Sequence, residues 1–243
     1  MNRYDIHTHI LPRLDDGSPD IDISMVLLEE LENQGVTHLA FTPHFYSQYV
    51  DMSGNDEQSE KILQQYFQSR KDALQSVMRE YEGHMRFTYG AEVHMSENII
   101  HAKDLSPLCY HGTNYLLAEM PYDSVMAENE VVWLKTLIEK YNITPILAHI
   151  ERYTVLVTDK KLLSRLREMG CKVQINTESL YTRGLSKILF KLINEGYVDF
   201  LGSDTHSTMR GCDYHRGYME MVKHCDSSMV EGIAHNGSFL FKG

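Results

Sequence analysis

The apolar positions of the chain fall into two alternating patterns: short compact runs that suit strands, and longer stretches with helical spacing. Ile23, Val26, Leu27 and Leu31 share a helical face over residues 20–34, with acidic residues in the first turn and Gly35 behind, so a helix is expected there. A long amphipathic helix is expected over about 56–81. Others are expected over 128–141, where Val131, Leu134, Leu137 and Ile138 form the buried face, and over 160–169, 187–194, about 214–224 and 228–234. Between them the strand-like runs are the segment opening at Tyr4, then 37–43, 86–91, 115–118, 143–148, 172–175 and 198–202. Residues 45–55 and 99–113 carry no period, and the former reads as a surface loop or a lid over a site.

Strand and helix alternate about seven times, the signature of a parallel sheet wrapped by helices. The expected fold is α/β, a distorted (βα)7 TIM-like barrel, with a doubly wound open sheet as the alternative. No linker interrupts the sequence, so residues 1–243 are expected to form one domain. Functional groups in such barrels gather where strands end, at the C-terminal rim.

The residues at those ends are not random. The opening segment YDIHTHILPRLDD places His7 and His9 on one face of a strand, with Ile6 and Thr8 expected to point the other way. His44 follows the second strand, Glu92 the third, Glu119 the fourth and His149 the fifth, while Asp204 and His206 follow the seventh at the same alternate spacing. Asp16 can reach back from the loop behind the first strand. Imidazoles and carboxylates without a thiolate suit Mn, Fe, Zn or Mg. Nine candidates are too many for one ion, and two or three ions sharing Glu92 and Asp204 as bridges would use them. Asp16, Glu92, Glu119 and Asp204 bring four negative charges, so three divalent ions would leave a surplus of about two, favouring an anionic substrate. His94, His101, His111, His215 and His235 fit no strand-end position and are expected to be surface or structural.

The net charge of −11 and the lack of a basic stripe argue against a nucleic-acid backbone as the main partner. The hydrophobic fraction is 42%, no apolar run is long enough for a transmembrane helix, and a charged strand begins too early for a signal peptide, so a cytoplasmic location is expected. Cys109, Cys171, Cys212 and Cys225 form neither a disulfide framework nor a zinc ribbon and read as ordinary thiols. None of them is followed six positions later by arginine, which excludes a cysteine-dependent tyrosine phosphatase.

DIHTH, TPH, GAE, the acidic end of the fourth strand, AHIERY and GSDTH, in this order, resemble the polymerase and histidinol phosphatase (PHP) superfamily. More narrowly, DIHTHILPRLDDGS and LAHIERY resemble the bacterial capsular and exopolysaccharide tyrosine phosphatases of the CpsB/YwqE type. The resemblance implies a distorted barrel with three metal ions, often manganese, at its rim. It implies His7, His9, Glu92 and Asp204 around one ion, Glu92, Glu119 and His149 around a second, and Asp16, His44 and His206 around a third. It further implies that Arg152 binds the substrate phosphate, a task suited to a planar guanidinium, with Arg210 as a second arginine about one residue out of register. The implied reaction is phosphotyrosine hydrolysis by a metal-bridging hydroxide, the substrate being the tyrosine-rich C-terminal tail of a bacterial tyrosine kinase that controls polysaccharide export. A small-molecule phosphatase of the histidinol-phosphate type and a non-catalytic metal-binding partner of the kinase are the rival readings. Metal identity and oligomeric state are left open.

Overall fold

Every run expected to be a strand lies in a parallel ladder of the computed structural model, which describes residues 2–122, 124–211 and 213–241. Cys212 lies outside the described residues. β1 (Tyr4–Asp5) pairs with β2 (His38–Phe41), and β2 with β4 (Arg86–Tyr89). β3 (His44–Tyr46) pairs with β5 (Glu92–His94), followed in order by β6 (Tyr115–Glu119), β7 (Thr144–Leu147), β8 (Lys172–Asn176) and β9 (Phe200–Gly202). β2 and β3 are two halves of one strand, interrupted at Pro43, which has no N–H to give to a ladder. β4 and β5 are the halves of the next. The last strand meets the first: Ile6 N donates to Leu201 O at 3.2 Å, Asp204 N to His7 O at 2.8 Å and His9 N to Thr205 O at 2.8 Å. The sheet therefore closes into a distorted parallel barrel, as the alternation of elements implied.

The closure is irregular where it matters. Ser203 N donates to the buried Asp5 carboxylate at 2.8 Å instead of to a backbone carbonyl, so the ladder slips by Ile6 and His7 and β1 is short. Strict alternation fails there. Ile6 does not point away from the barrel but packs with Ala40, Tyr110, Leu117, Ile146, Ala148 and Phe200. This small apolar cluster fills the barrel beneath the rim and is closed below by Leu240.

The outward residues of the strands and the inner faces of the helices form the larger core. α1 (Ile21–Asn33) begins where Asp20 accepts from Ile23 N at 2.9 Å, and α2 (Glu57–Glu80) where Asp56 accepts from Ser59 N at 2.8 Å. α3 (Glu128–Tyr141) ends at the left-handed Asn142. A short α4 (Thr154–Thr158), which no periodicity announced, precedes α5 (Lys160–Met169). α6 (Ser186–Asn194), α7 (Tyr214–His224) and α8 (Ser227–Ser238) complete the wrap, the last running further than its apolar spacing suggested. Residues 45–55 begin as strand β3 and turn over at 47–49. No helix is long and apolar enough to cross a membrane among the described residues.

Candidate metal centre

The loop behind the first strand is folded back upon it. Arg13 is left-handed (φ 63°), Arg13 N donates to Ser18 O at 2.9 Å, and Ser18 N to His9 O at 3.0 Å. A Cβ at Gly17 would fall on the His9 carbonyl oxygen, so only glycine admits this approach. The Asp15 carboxylate accepts from Gly17 N at 3.0 Å and fixes the turn that carries Asp16 over the rim. His149 and Asp204 leave their strands with φ of 30° and 56°, a region that non-glycine residues seldom occupy. The turn swings both side chains onto the rim.

Three groups of ligand-type atoms result. His7, His9, Glu92 and Asp204 converge and are buried. Glu92 Oε2 lies 3.1 Å from both His7 Nε2 and His9 Nε2, with Asp204 Oδ1 at 3.5 and 3.4 Å from the same nitrogens. In a second group Glu92 and Glu119 meet His44, whose Nδ1 is 3.0 Å from Glu92 Oε2. His149 Nε2 approaches the same carboxylates at 2.8 Å and 3.7 Å. The third group joins His9 to Asp16, His44 and His206, with Asp16 Oδ1 3.3 Å from His206 Nε2 and 3.6 Å from His44 Nε2. All nine residues singled out at strand ends thus meet at one rim. His9 also belongs to the third group and His44 to the second, which the resemblance did not imply.

Hydrogen bonds orient the imidazoles. His9 Nδ1 donates to Asp15 Oδ2 at 2.7 Å and His206 Nδ1 to Asp204 O at 2.8 Å, which leaves each Nε2 facing the centre. Gln174 Oε1 accepts from His149 N at 2.7 Å and from His7 Nδ1 at 3.3 Å. Gln174 Nε2 donates to Asn176 Oδ1 at 2.8 Å, and Asn176 Nδ2 donates to Asp204 Oδ2 at 3.0 Å. One chain of side chains therefore links His7 to Asp204 from behind, the arrangement that fixes tautomer and ring direction at metal sites. β8, the strand without a terminal ligand, supplies Gln174 and Asn176 to this support.

The donor set fits cations. Glu92 Oε2, His44 Nδ1 and His206 Nε2 are buried without a hydrogen-bond partner. His7 Nε2 and His9 Nε2 stand 3.1 Å apart, so two lone pairs face each other unless positive charge lies between them. Burial opposes a proton on these imidazoles, yet Glu92 and Asp204 beside His7, and Asp15 with the same carboxylates beside His9, carry both above the ordinary value. Burial would also raise Glu92 and Asp204, but the imidazoles around them, His7 foremost, hold both well below the usual range. Glu119 differs: burial and the adjacent Glu92 push it up to about 7.

Arg152 pairs with Asp204 Oδ2, and Arg210 Nη1 lies 3.2 Å from Asp16 Oδ2. A tight turn, with Arg210 N donating to Ser207 O at 3.1 Å and His206 N to Arg210 O at 3.0 Å, brings Arg210 back over the rim. Asp15, Gln174 and Asn176 were missed in the sequence. The adjacent acid in DDG was a signal for Asp15, whereas the other two carry no motif. Of the remaining histidines, His94 sits on β5 at the edge of the centre, while His111 bonds Tyr89 and His215 bonds Arg3 elsewhere.

A family model described as "Capsular polysaccharide synthesis, CpsB/CapC" matches residues 3–239. The tyrosine-protein phosphatase CpsB of Streptococcus agalactiae is 27% identical over 212 residues, covering 84% of this chain and 82% of that one. The tyrosine-protein phosphatase YwqE of Bacillus subtilis is 26% identical over 209 residues, covering 84% and 77%. Among solved structures, the work on YwqE from Bacillus subtilis and CpsB from Streptococcus pneumoniae, described as unique metal-dependent tyrosine phosphatases, aligns with a TM-score of 0.79 at 23% identity. It covers 98% of this chain and 94% of that one.

Proposed function

The chain belongs to the CpsB/CapC family of capsular polysaccharide synthesis, and from that premise we propose that it is a metal-dependent protein-tyrosine phosphatase acting as one catalytic domain. The observation that carries the reading is the set of buried, partnerless donor atoms on Glu92, His44 and His206, converging with His7, His9 and Asp204 on one rim. His7, His9, Glu92 and Asp204 would hold one ion; Glu92, Glu119 and His149, with His44 beside them, a second; and Asp16, His44 and His206, with His9, a third. Bound divalent ions, manganese in our reading, supply the charge that acidifies a water and offsets charge on phosphoryl oxygens.

The chain's own residues do the rest. Arg152, paired with Asp204 at the rim, would take two oxygens of a phosphate with its planar guanidinium, and Arg210, paired with Asp16, would be the second arginine. The phosphate's charge is balanced by these arginines while Asn176 keeps Asp204 in place. Side-chain exposures of 55% at Asp16, 37% at Arg152 and 47% at Arg210 mark an open rim. That openness favours a protein segment, in our reading the tyrosine-rich C-terminal tail of a bacterial tyrosine kinase, over a small metabolite. The described cysteines, Cys109, Cys171 and Cys225, are unpaired, which suits a reducing cytoplasm.

The test is turnover by chelator-treated protein after adding back Mn, Fe, Zn or Mg, with phosphotyrosine peptides compared against histidinol phosphate. Hydrolysis of the peptides that vanishes with the metal and returns with it is expected. Preference for histidinol phosphate, or activity indifferent to chelation, would refute the reading.

A further inference from the structure

β3 stacks one aromatic side chain, Tyr46, on His44 at the edge of the centre. Along this strand His44 faces Glu92, Phe45 turns into the core against Tyr66 with ring centroids 5.1 Å apart, and Tyr46 returns to the face of His44. The neighbouring β5 repeats the arrangement, because His44 is in register with Glu92 and Tyr46 with His94. Tyr46 and His94 therefore form a layer one step further out than the ligand-type residues. The Tyr46 ring stacks on His44 at 5.3 Å and 27°, with His94 at 6.3 Å and Tyr49 at 6.3 Å. Tyr46 is 43% exposed and Tyr49 76% exposed, so the outer faces of both rings are open.

The platform is anchored from behind. Ser47 Oγ donates to His94 O at 2.5 Å, and Asn98 Nδ2 donates to Ser47 O at 3.0 Å and to Val50 O at 3.1 Å. Burial raises the Tyr46 phenol above its ordinary value, and the carboxylates of Asp16, Glu119, Asp15 and Glu92 raise it further, as befits a ring at the mouth of the acidic cluster.

We propose that Tyr46, backed by His94 and flanked by Tyr49, is the wall on which the aromatic ring of the substrate stacks, and so the residue that selects aryl over alkyl phosphomonoesters. The proposal rests on the phosphomonoesterase reading of this same centre. An aryl leaving group whose phosphate lies between Arg152 and the ligand cluster would project outward past this layer, where an open π-face is available. Stacking of this kind adds up to roughly tenfold in affinity beyond area burial alone.

The deciding measurement is the calorimetric affinity of phenylphosphonate and methylphosphonate for the manganese-loaded protein and its Tyr46→Ala and Tyr46→Phe variants. The wild type is expected to prefer the phenyl compound by roughly tenfold. Tyr46→Ala should lose most of that preference while binding methylphosphonate as before, and Tyr46→Phe should keep it. No preference in the wild type, an unchanged preference in Tyr46→Ala, or equal weakening of both ligands would overturn the proposal. Hydrolysis of phenyl phosphate by the wild type is scored separately. Turnover without a Tyr46-dependent preference sinks the wall and spares the phosphatase, and the converse result does the opposite.

Discussion

Asp15→Asn isolates a single charge behind the metal centre. One oxygen of Asp15 accepts from His9 Nδ1 at 2.7 Å and from His44 N at 2.9 Å, and the other accepts from Gly17 N at 3.0 Å. Burial would raise this carboxyl, but the His9 hydrogen bond and its charge, with the two backbone donors, hold it at about 2, so the full negative charge is present at neutral pH. Asparagine keeps the shape and one acceptor oxygen. If that oxygen serves His9 and His44, its NH2 faces the Gly17 N–H, and one bond is lost together with the charge. Mutating an outer partner of a ligating imidazole, here by taking away its charge, costs about 10–100-fold in metal affinity, or roughly 1.4–2.8 kcal/mol. His9 belongs to two of the ligand groups, so both should weaken. The assay is reactivation of chelated enzyme by Mn titration, with calorimetry as the direct binding measure. The expected result is a midpoint displaced 10–100-fold with the plateau rate recovered at high metal. A wild-type midpoint, or a plateau that stays low in a protein of unchanged thermal stability, would refute the reasoning.

Arg152→Ala should cost about 10²–10³ in kcat/KM for a phosphotyrosine peptide, and Arg152→Lys should restore little, because a point charge cannot grip two oxygens. Unimpaired turnover by the alanine variant would remove Arg152 from the phosphate site. A pH effect is expected far from the rim, at His38, whose ring packs against Tyr4 at 4.4 Å and Phe241 at 5.2 Å. Burial, with Arg86 nearby, lowers its pKa, so the unfolded chain takes up the proton first and stability is lost as pH falls below 6.5. His38→Phe should shrink the difference in urea-unfolding stability between neutral pH and about pH 5, and an identical pH dependence in the variant would contradict this.

Apolar periodicity sufficed for most of the fold because the longer helices each bury one stripe of regularly spaced apolar residues. The spans 128–141, 160–169 and 214–224 coincide with α3, α5 and α7. What periodicity could not convey is set by long-range geometry. The break at Pro43 divides one strand, the Asp5 carboxylate replaces a backbone acceptor, and Ile6 consequently faces inward. Alternate spacing still brought His7 and His9 to the same rim, their Nε2 atoms 3.1 Å apart. The supporting residues were less legible. Gln174 and Asn176 are ordinary polar residues in sequence, and their value comes only from standing behind His7, His149 and Asp204. Asp15 also alters the charge balance, because with a fifth carboxylate three divalent ions would leave a surplus of about one instead of about two.

On the proposed three-ion reading, that smaller surplus would give the arginines a larger share in attracting an anion. Asp204 divides its two oxygens: Oδ1 faces His7 and His9, while Oδ2 is held by Asn176 and Arg152. The ligand oxygen is thus free of the arginine, and the arginine is held at the edge of the centre by the oxygen that faces away from it. Arg152 is 37% exposed on its side chain, so a phosphate can approach its remaining N–H donors without first breaking the Asp204 pair. Asn176 continues to hold Oδ2 if the guanidinium does swing away. One carboxylate can therefore serve ligand and arginine together, and the left-handed backbone of Asp204, at φ 56°, is the turn that carries it off β9 onto the rim.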